Sequence, residues 1–188
     1  MRAPLGASRD GPGAGRGVGL WRWRPAGLET VRLTIRPLSL RDLRFTIRLL
    51  GDGRARRFLG GAVAPRARPR VALGYLRGGG CHVVRRRGGE RVGLLFLHPH
   101  RTAGAPELSF LFDPAAWGRG FAGEAASRLR DHAHVDLGNN RLVAETQAAN
   151  AASRALLERL GFVAIRRLTR FGADQVLYEW RPSAARGP

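Results

Sequence analysis

Lysine is absent from this chain: all 33 basic residues are arginine, set against 14 acids for a formal charge of +19. An all-arginine basic set beside abundant Gly, Ala and Pro is what a codon bias toward G and C produces, so part of the charge carries no information about a partner. Cysteine is nearly absent too. Cys81 alone excludes an internal disulfide, fits a reducing cytosol, and reads as a small strand residue. No apolar run approaches the roughly 18 residues of a membrane span, and the N-terminus lacks the apolar stretch of a secretory signal, so a cytoplasmic location without membrane contact is expected. What is present is globular: 44% hydrophobic and 25% charged residues exclude wholesale disorder and collagen-like repeats, and 188 residues build one domain with tails.

Residues 1–28 hold seven Gly and three Pro without a sustained apolar period and read as a disordered leader, either a basic arm or an overextended start of the reading frame. Residues 29–182 form the folded domain and 183–188 a short tail. With leader and tail removed, 27 arginines still face 13 acids, a net +14 that attracts acidic ligands and leaves nucleic-acid or ribosome contact open.

Inside the domain, Leu33 and Ile35 alternate with polar residues as in a strand closed by Pro37, and Ser39 caps a helix running to Leu50. A weaker helical segment is expected over 54–59 and another over 68–76. Strands at 81–86 and 91–97 flank the hairpin signal Arg87-Gly88-Gly89-Glu90, and a third strand spans 106–112. A helix after Trp117 carries the stripe Phe121, Ala125, Leu129, Ala133 and stops by Gly138. Strand 141–146 leads to helix 150–160, ended by Gly161, and strands 162–168 and 174–180 close the chain.

The chemistry concentrates in the strand-turn-helix over residues 107–125. Gly118, Gly120 and Gly123 allow close backbone approach where a helix N-terminus exposes unpaired amides, and Arg119 adds a mobile positive charge. That combination suits a pyrophosphate. Neither the Lys-Ser/Thr ending of a P-loop nor the dinucleotide fingerprint with its later acidic residue is present, and a tight strand-to-helix turn alone would also explain the glycines.

Three motifs occur in order: Leu33-Thr-Ile-Arg-Pro-Leu38; Glu107-Leu-Ser-Phe-Leu-Phe-Asp-Pro-x-x-Trp-Gly-x-Gly-Phe-Ala-x-Glu-Ala125; and Arg141-Leu-Val-Ala-Glu-Thr146 followed by Asn150-x-x-Ser153, Leu156 and Leu160-Gly-Phe162. In these the chain resembles the GNAT superfamily of acyl-CoA-dependent N-acyltransferases, in its RimJ/RimL-like branch of ribosomal-protein N-terminal acetyltransferases, over residues 29–181. The resemblance implies an α+β fold: a mixed, mostly antiparallel sheet flanked by helices, with the strands at 107–112 and 141–146 splayed around acetyl-CoA.

The resemblance places the phosphate loop on Gly118, Arg119, Gly120, Phe121, Ala122 and Gly123, with Trp117 where the family often has Gln or Arg. It places backbone contacts to the pantetheine arm on Phe110, Leu111 and Phe112, and a cofactor-side asparagine on Asn150, which serves equally as a helix N-cap. Glu107 and Glu145 are candidates for the base or water-orienter, or are simply arginine-paired carboxylates. Where many members carry a Tyr acid this chain has Leu157; Ser153, one turn earlier, is the candidate replacement donor. His98 and His100 flank Pro99 in what reads as a surface turn, and no metal site emerges.

The expected activity is direct acetyl transfer from acetyl-CoA to a primary amine in a ternary complex. A protein or peptide N-terminal α-amine is the first choice, because a site without a strong proton-acceptor cluster favours the amine with the lower pKa. The alternatives are a small-molecule amine (amino acid, polyamine or aminoglycoside) and a catalytically weak CoA-binding or RNA-associated protein.

Overall fold

The computed structural model describes residues 27–183, so the leader's Trp21 and Trp23 and most of the short tail lie outside the described residues. One boundary moves: Leu28, assigned above to the leader, is 3% exposed and forms the two-residue strand β1 (Leu28–Glu29).

Strand β2 (Leu33–Pro37) buries Leu33 and Ile35 and ends where Pro37 closes the ladder. Ser39 then opens a 3-10 turn (Leu40–Asp42) that runs into helix α1 (Leu43–Leu50). Residues 54–59 form turns, not the expected helix. Asp52 accepts the amides of Arg54 and Ala55, Gly60 and Gly61 both take positive φ, and the buried Arg56 spends its guanidinium on the carbonyls of Leu59 and Gly61. Local capping thus outweighs helix propensity. Helix α2 (Arg68–Gly78) stops at left-handed Gly79.

Strands β3 (Cys81–Arg86), β4 (Arg91–Pro99) and β5 (Pro106–Phe112) follow as an antiparallel run, with Cys81 buried in β3. A 3-10 turn at Pro114–Ala116 precedes α3 (Phe121–Val135), and β6 (Leu142–Gln147), α4 (Ala151–Arg159), β7 (Val163–Arg170) and β8 (Ala173–Trp180) complete the domain. The order across the sheet is β1-β2-β3-β4-β5-β6-β8-β7, antiparallel throughout except at β5/β6.

On one face of the sheet the main core packs against α3 and α4. The stripe Phe121, Ala125, Leu129 and Ala133 is buried there with Leu108, Phe112, Leu156 and Leu157. Burial of each large side chain contributes about 1.5–3 kcal/mol. On the other face α1 and α2 cover β3–β5 through Phe45, Leu49, Val83, Leu94 and Leu111. Over β5, β6 and β8 that same face has only a small cluster around Ala105, Val143 and Leu177. The sparse patch adjoins the break in the sheet.

Candidate active site

The break follows from pairing. Strands β5 and β6 run parallel and meet in register only at Glu107 and Val143, so beyond that point they diverge into a V. The direction of the β5 backbone is set by its other neighbour. The amide of Asp113 donates to Val92 O at 2.9 Å, and alternation along the antiparallel β4/β5 ladder turns Leu111 toward β4 as well. Of the three residues expected to offer backbone groups, Phe110 and Phe112 therefore face the V, and Leu111 does not.

At the open end of β5 lies the glycine loop. Gly118 and Gly120 both take left-handed φ (71° and 77°), and Gly120 is the N-cap of the 15-residue α3. A Cβ on Gly118 would meet nothing within 4 Å, and one on Gly120 would come 3.3 Å from an arm of Arg32. The amides of residues 118–123 have no backbone acceptor among the described residues, while Glu124 N closes the first helical bond onto Gly120 O at 3.1 Å. Arg32 braces the loop from β2's side, donating to Arg119 O at 3.0 Å and to Glu124 at 2.6 Å. Glu124 also accepts from Thr30 and from the Arg32 amide; these bonds outweigh its partial burial and hold its carboxyl below the ordinary range. Open amides, a helix N-terminus and Arg119 fit the diphosphate of coenzyme A. Trp117, half exposed, fixes the entrance by donating its indole N–H to Phe112 O at 3.1 Å.

Inside the V, on the face carrying α1 and α2, stands a group of ionisable side chains. Glu107 projects with Ser109 and Leu111, and its carboxyl makes no hydrogen bond among the described residues. Burial pushes it up to about 7; the charge of Glu145 adds to the rise, and the positive ends of His100 and Arg170 oppose it. Glu145 lies on the diverging arm of β6. Its Oε2 takes Arg170 Nη1 at 2.9 Å and faces His100 Nε2 at 3.3 Å.

His100 corrects the surface-turn reading: the residue is buried, and the turn folds its ring inward. Its neighbourhood in the sequence carries no signal of this, since a histidine beside a proline in a polar turn reads as solvated. His98, two residues earlier near the end of β4, is exposed as expected.

On the opposite face α4 begins at the end of β6. Asn150 is its N-cap, its side chain accepting Ser153 N at 3.2 Å. The Ser153 hydroxyl makes no hydrogen bond among the described residues. Leu157, in the position of the usual acid, is packed in the main core. The structure thus gathers Glu107 and Glu145 on one side of the V and Asn150 and Ser153 at the helix on the other. The glycine loop lies at its mouth.

A family model described as the acetyltransferase (GNAT) domain matches residues 32–163. The chain belongs to this family. It is an acyltransferase with an α+β GNAT fold, and acetyl-CoA is its cosubstrate.

Among solved structures it is similar to a GNAT-family acetyltransferase from Bacillus anthracis, with TM-score 0.75 and 18% identity over 83% of this chain and 98% of that one. It is also similar to a spermidine N-acetyltransferase from Vibrio cholerae in complex with CoA and spermine (TM-score 0.68, 20% identity, 80% and 96% covered). A third is RimL, a ribosomal L7/L12 α-N-protein acetyltransferase in complex with coenzyme A (TM-score 0.67, 16% identity, 81% and 95% covered). The FsC-acetyl coenzyme A-N(2)-transacetylase of Aspergillus fumigatus is 35% identical over 81 residues, 39% of this chain and 34% of that protein. The chain thus spans about a third of that relative's length. No helix among the described residues is long and apolar enough to cross a membrane.

Proposed function

We propose that the chain acetylates the α-amine of a protein or peptide in the manner of the RimJ/RimL-like branch, by direct transfer with both substrates bound. The observation that carries the acceptor choice is the charge of the wall beside the V. Helices α1 and α2 and the turns between them expose Arg44, Arg54, Arg57, Arg66, Arg70 and Arg77, none paired with a carboxylate among the described residues. The two acids of this stretch are spent: Asp42 on Arg36 and Arg91, Asp52 on backbone amides. The wall adjoins Glu107's face of β5, where Leu111 packs with Phe45 and Leu49, Arg48 pairs with Asp113 at 2.5 Å, and Arg54 lies over the Trp117 ring. A polycation such as spermidine is repelled there, and an acidic polypeptide is drawn in. An α-amine, with a reference pKa near 8, also offers far more neutral nucleophile at pH 7 than a lysine side chain near 10.4.

Acetyl-CoA supplies an activated thioester. The chain's part is to place and to move protons. Glu107, titrating near neutrality, takes the proton of the attacking amine as the C–N bond forms. Amides of Phe110 and Phe112 face the position where the carbonyl oxygen gathers charge. Ser153, on the far side of the V, donates a hydrogen bond to the departing sulfur as the C–S bond breaks. Base and donor on opposite faces of the sheet match an acceptor entering from the α1/α2 side and a cofactor lying against α3 and α4.

The test is a panel of acceptors at one acetyl-CoA concentration: a free-N-terminus peptide rich in Asp and Glu, its neutral counterpart, an N-blocked lysine peptide, free amino acids, an aminoglycoside and spermidine. The acidic peptide should show the highest kcat/KM, and its advantage should shrink as salt rises. Faster turnover of spermidine or of the blocked lysine peptide would overturn the acceptor assignment.

A further inference from the structure

We infer that His100 is a positioning residue of the transfer site: together with Arg170 it holds Glu145 as a fixed carboxylate, leaving Glu107 as the one carboxyl free to accept the amine's proton. The inference rests on the reading of Glu107 as base and divides the labour between the two glutamates.

The imidazole's orientation settles which nitrogen carries its proton. The backbone amides of Thr102 and Ala103 both aim at His100 Nδ1, at 3.2 and 3.0 Å. An N–H at Nδ1 would oppose two donors at once, so Nδ1 accepts and the proton sits on Nε2. Nε2 then has one partner to serve among the described residues, Glu145 Oε2 at 3.3 Å.

The loop that enforces this is tied down. His100 N donates to Ala105 O at 3.0 Å, Gly104 takes positive φ, and Arg141 reaches across to Ala103 O at 2.6 Å while its Nε holds Glu179 at 2.6 Å. The ring cannot turn without breaking both amide bonds.

The second donor to Oε2 comes from a separate element. Arg170 is the last residue of β7, and the hairpin that presents it folds through Phe171 and Gly172, both at positive φ. Gln175 fixes the Arg170 carbonyl at 3.2 Å. Two rigid donors from two loops therefore converge on one oxygen in the interior, the side chains of His100 and Glu145 being 2% and 9% exposed. Glu107 shares none of these bonds. The ionisable groups acting on it are His100, Glu145 and Arg170, with His98 across the β4/β5 ladder turned to solvent. Glu145, a negative charge that cannot swing away, keeps a proton attractive to Glu107.

The measurement is the pH profile of kcat/KM, with acetyl-CoA and whichever peptide of the panel the wild type turns over fastest, for four full-length variants. His100→Asn keeps an oxygen that can accept the Thr102 and Ala103 amides but is too short to reach Glu145. It should lower kcat about tenfold or more, leave the KM for acetyl-CoA unchanged, and move the acid limb to higher pH, because the positive Nε2–H end that opposes the rise at Glu107 is lost. Glu145 would then be held by Arg170 alone and could swing beside Glu107. His100→Ala should shift the limb the same way, with melting temperature reported beside it to separate folding from catalysis. Glu145→Gln should instead lower the limb, since it removes the neighbouring negative charge, and lose about as much kcat as His100→Asn, whereas Glu107→Gln should lose more than a hundredfold and the limb itself.

An unchanged profile and kcat in a folded His100→Asn would overturn the inference, as would a limb displaced downward. Loss of the limb in Glu145→Gln would make Glu145 the base. Full activity in Glu107→Gln would instead refute the base assignment beneath the inference.

Discussion

Replacing Gly120 by Val tests the cofactor assignment where the backbone is least forgiving. Its φ of 77° is a region that a side chain bearing a Cβ enters at a cost of about 1–2 kcal/mol. The new Cβ would also sit 3.3 Å from Arg32 Nη2. Because Arg32 is a flexible arm, the fold survives, but two things change. The arm leaves Arg119 O and Glu124, and the γ-methyls stand beside the amides that should cradle a diphosphate. At acetyl-CoA one hundred times its Kd the wild type gains about 2.7 kcal/mol. At about 2–4 °C per kcal/mol for a domain of this size, that is a rise of roughly 5–11 °C in Tm. A variant that binds a hundredfold more weakly gains about 0.4 kcal/mol at the same concentration, or roughly 1 °C. Thermal melts with and without acetyl-CoA read both effects. The ligand-free melt should drop a few degrees, and the ligand-induced rise should nearly vanish. A full rise retained by the variant would show that this loop does not hold the cofactor.

Ser153→Ala should reduce turnover by roughly ten- to a thousandfold with acetyl-CoA affinity held, because backbone capping by Asn150 survives the change; equal turnover in a single-turnover assay would return the hydroxyl to a plain helical role. Asp42 is buried where α1 begins, and burial alone would raise its proton affinity. Bonds from Arg36, Ser39 and Arg91 reverse that and hold it well below the ordinary carboxylate range. A depressed carboxylate stabilises fully above its unfolded pKa of about 4, and the contribution fades as pH falls toward the folded value. Asp42→Asn should therefore melt lower at pH 7, by roughly 6–12 °C for a cost of about 3 kcal/mol, and the gap to wild type should narrow on going from pH 4 to pH 2. Parallel melting curves across that range would refute the linkage.

How far the site was legible depends on how local its determinants are. The glycine loop, the stripe of α3 and the Asn150 cap are written within a few residues of themselves, so spacing alone exposes them. The parallel contact of β5 with β6 spans 36 positions and was legible only through the family's motifs, since nothing in either strand's own pattern says where they part. The turns at 54–59 escaped because Arg56 reads as a helix former until one sees its guanidinium capping carbonyls three and five residues on. His100 escaped for a related reason. A histidine beside a proline in a polar stretch looks solvated, and the amides that capture its ring belong to Thr102 and Ala103, whose sequence carries no donor signal beyond the backbone every residue has. The partner that gives the capture its meaning, Glu145, lies 45 residues away and is reached because β5 and β6 touch at one point before diverging. The splay that opens room for the cofactor therefore also brings the two glutamates near enough to act on one another. Their separate duties follow from which of them the loops can reach with a donor.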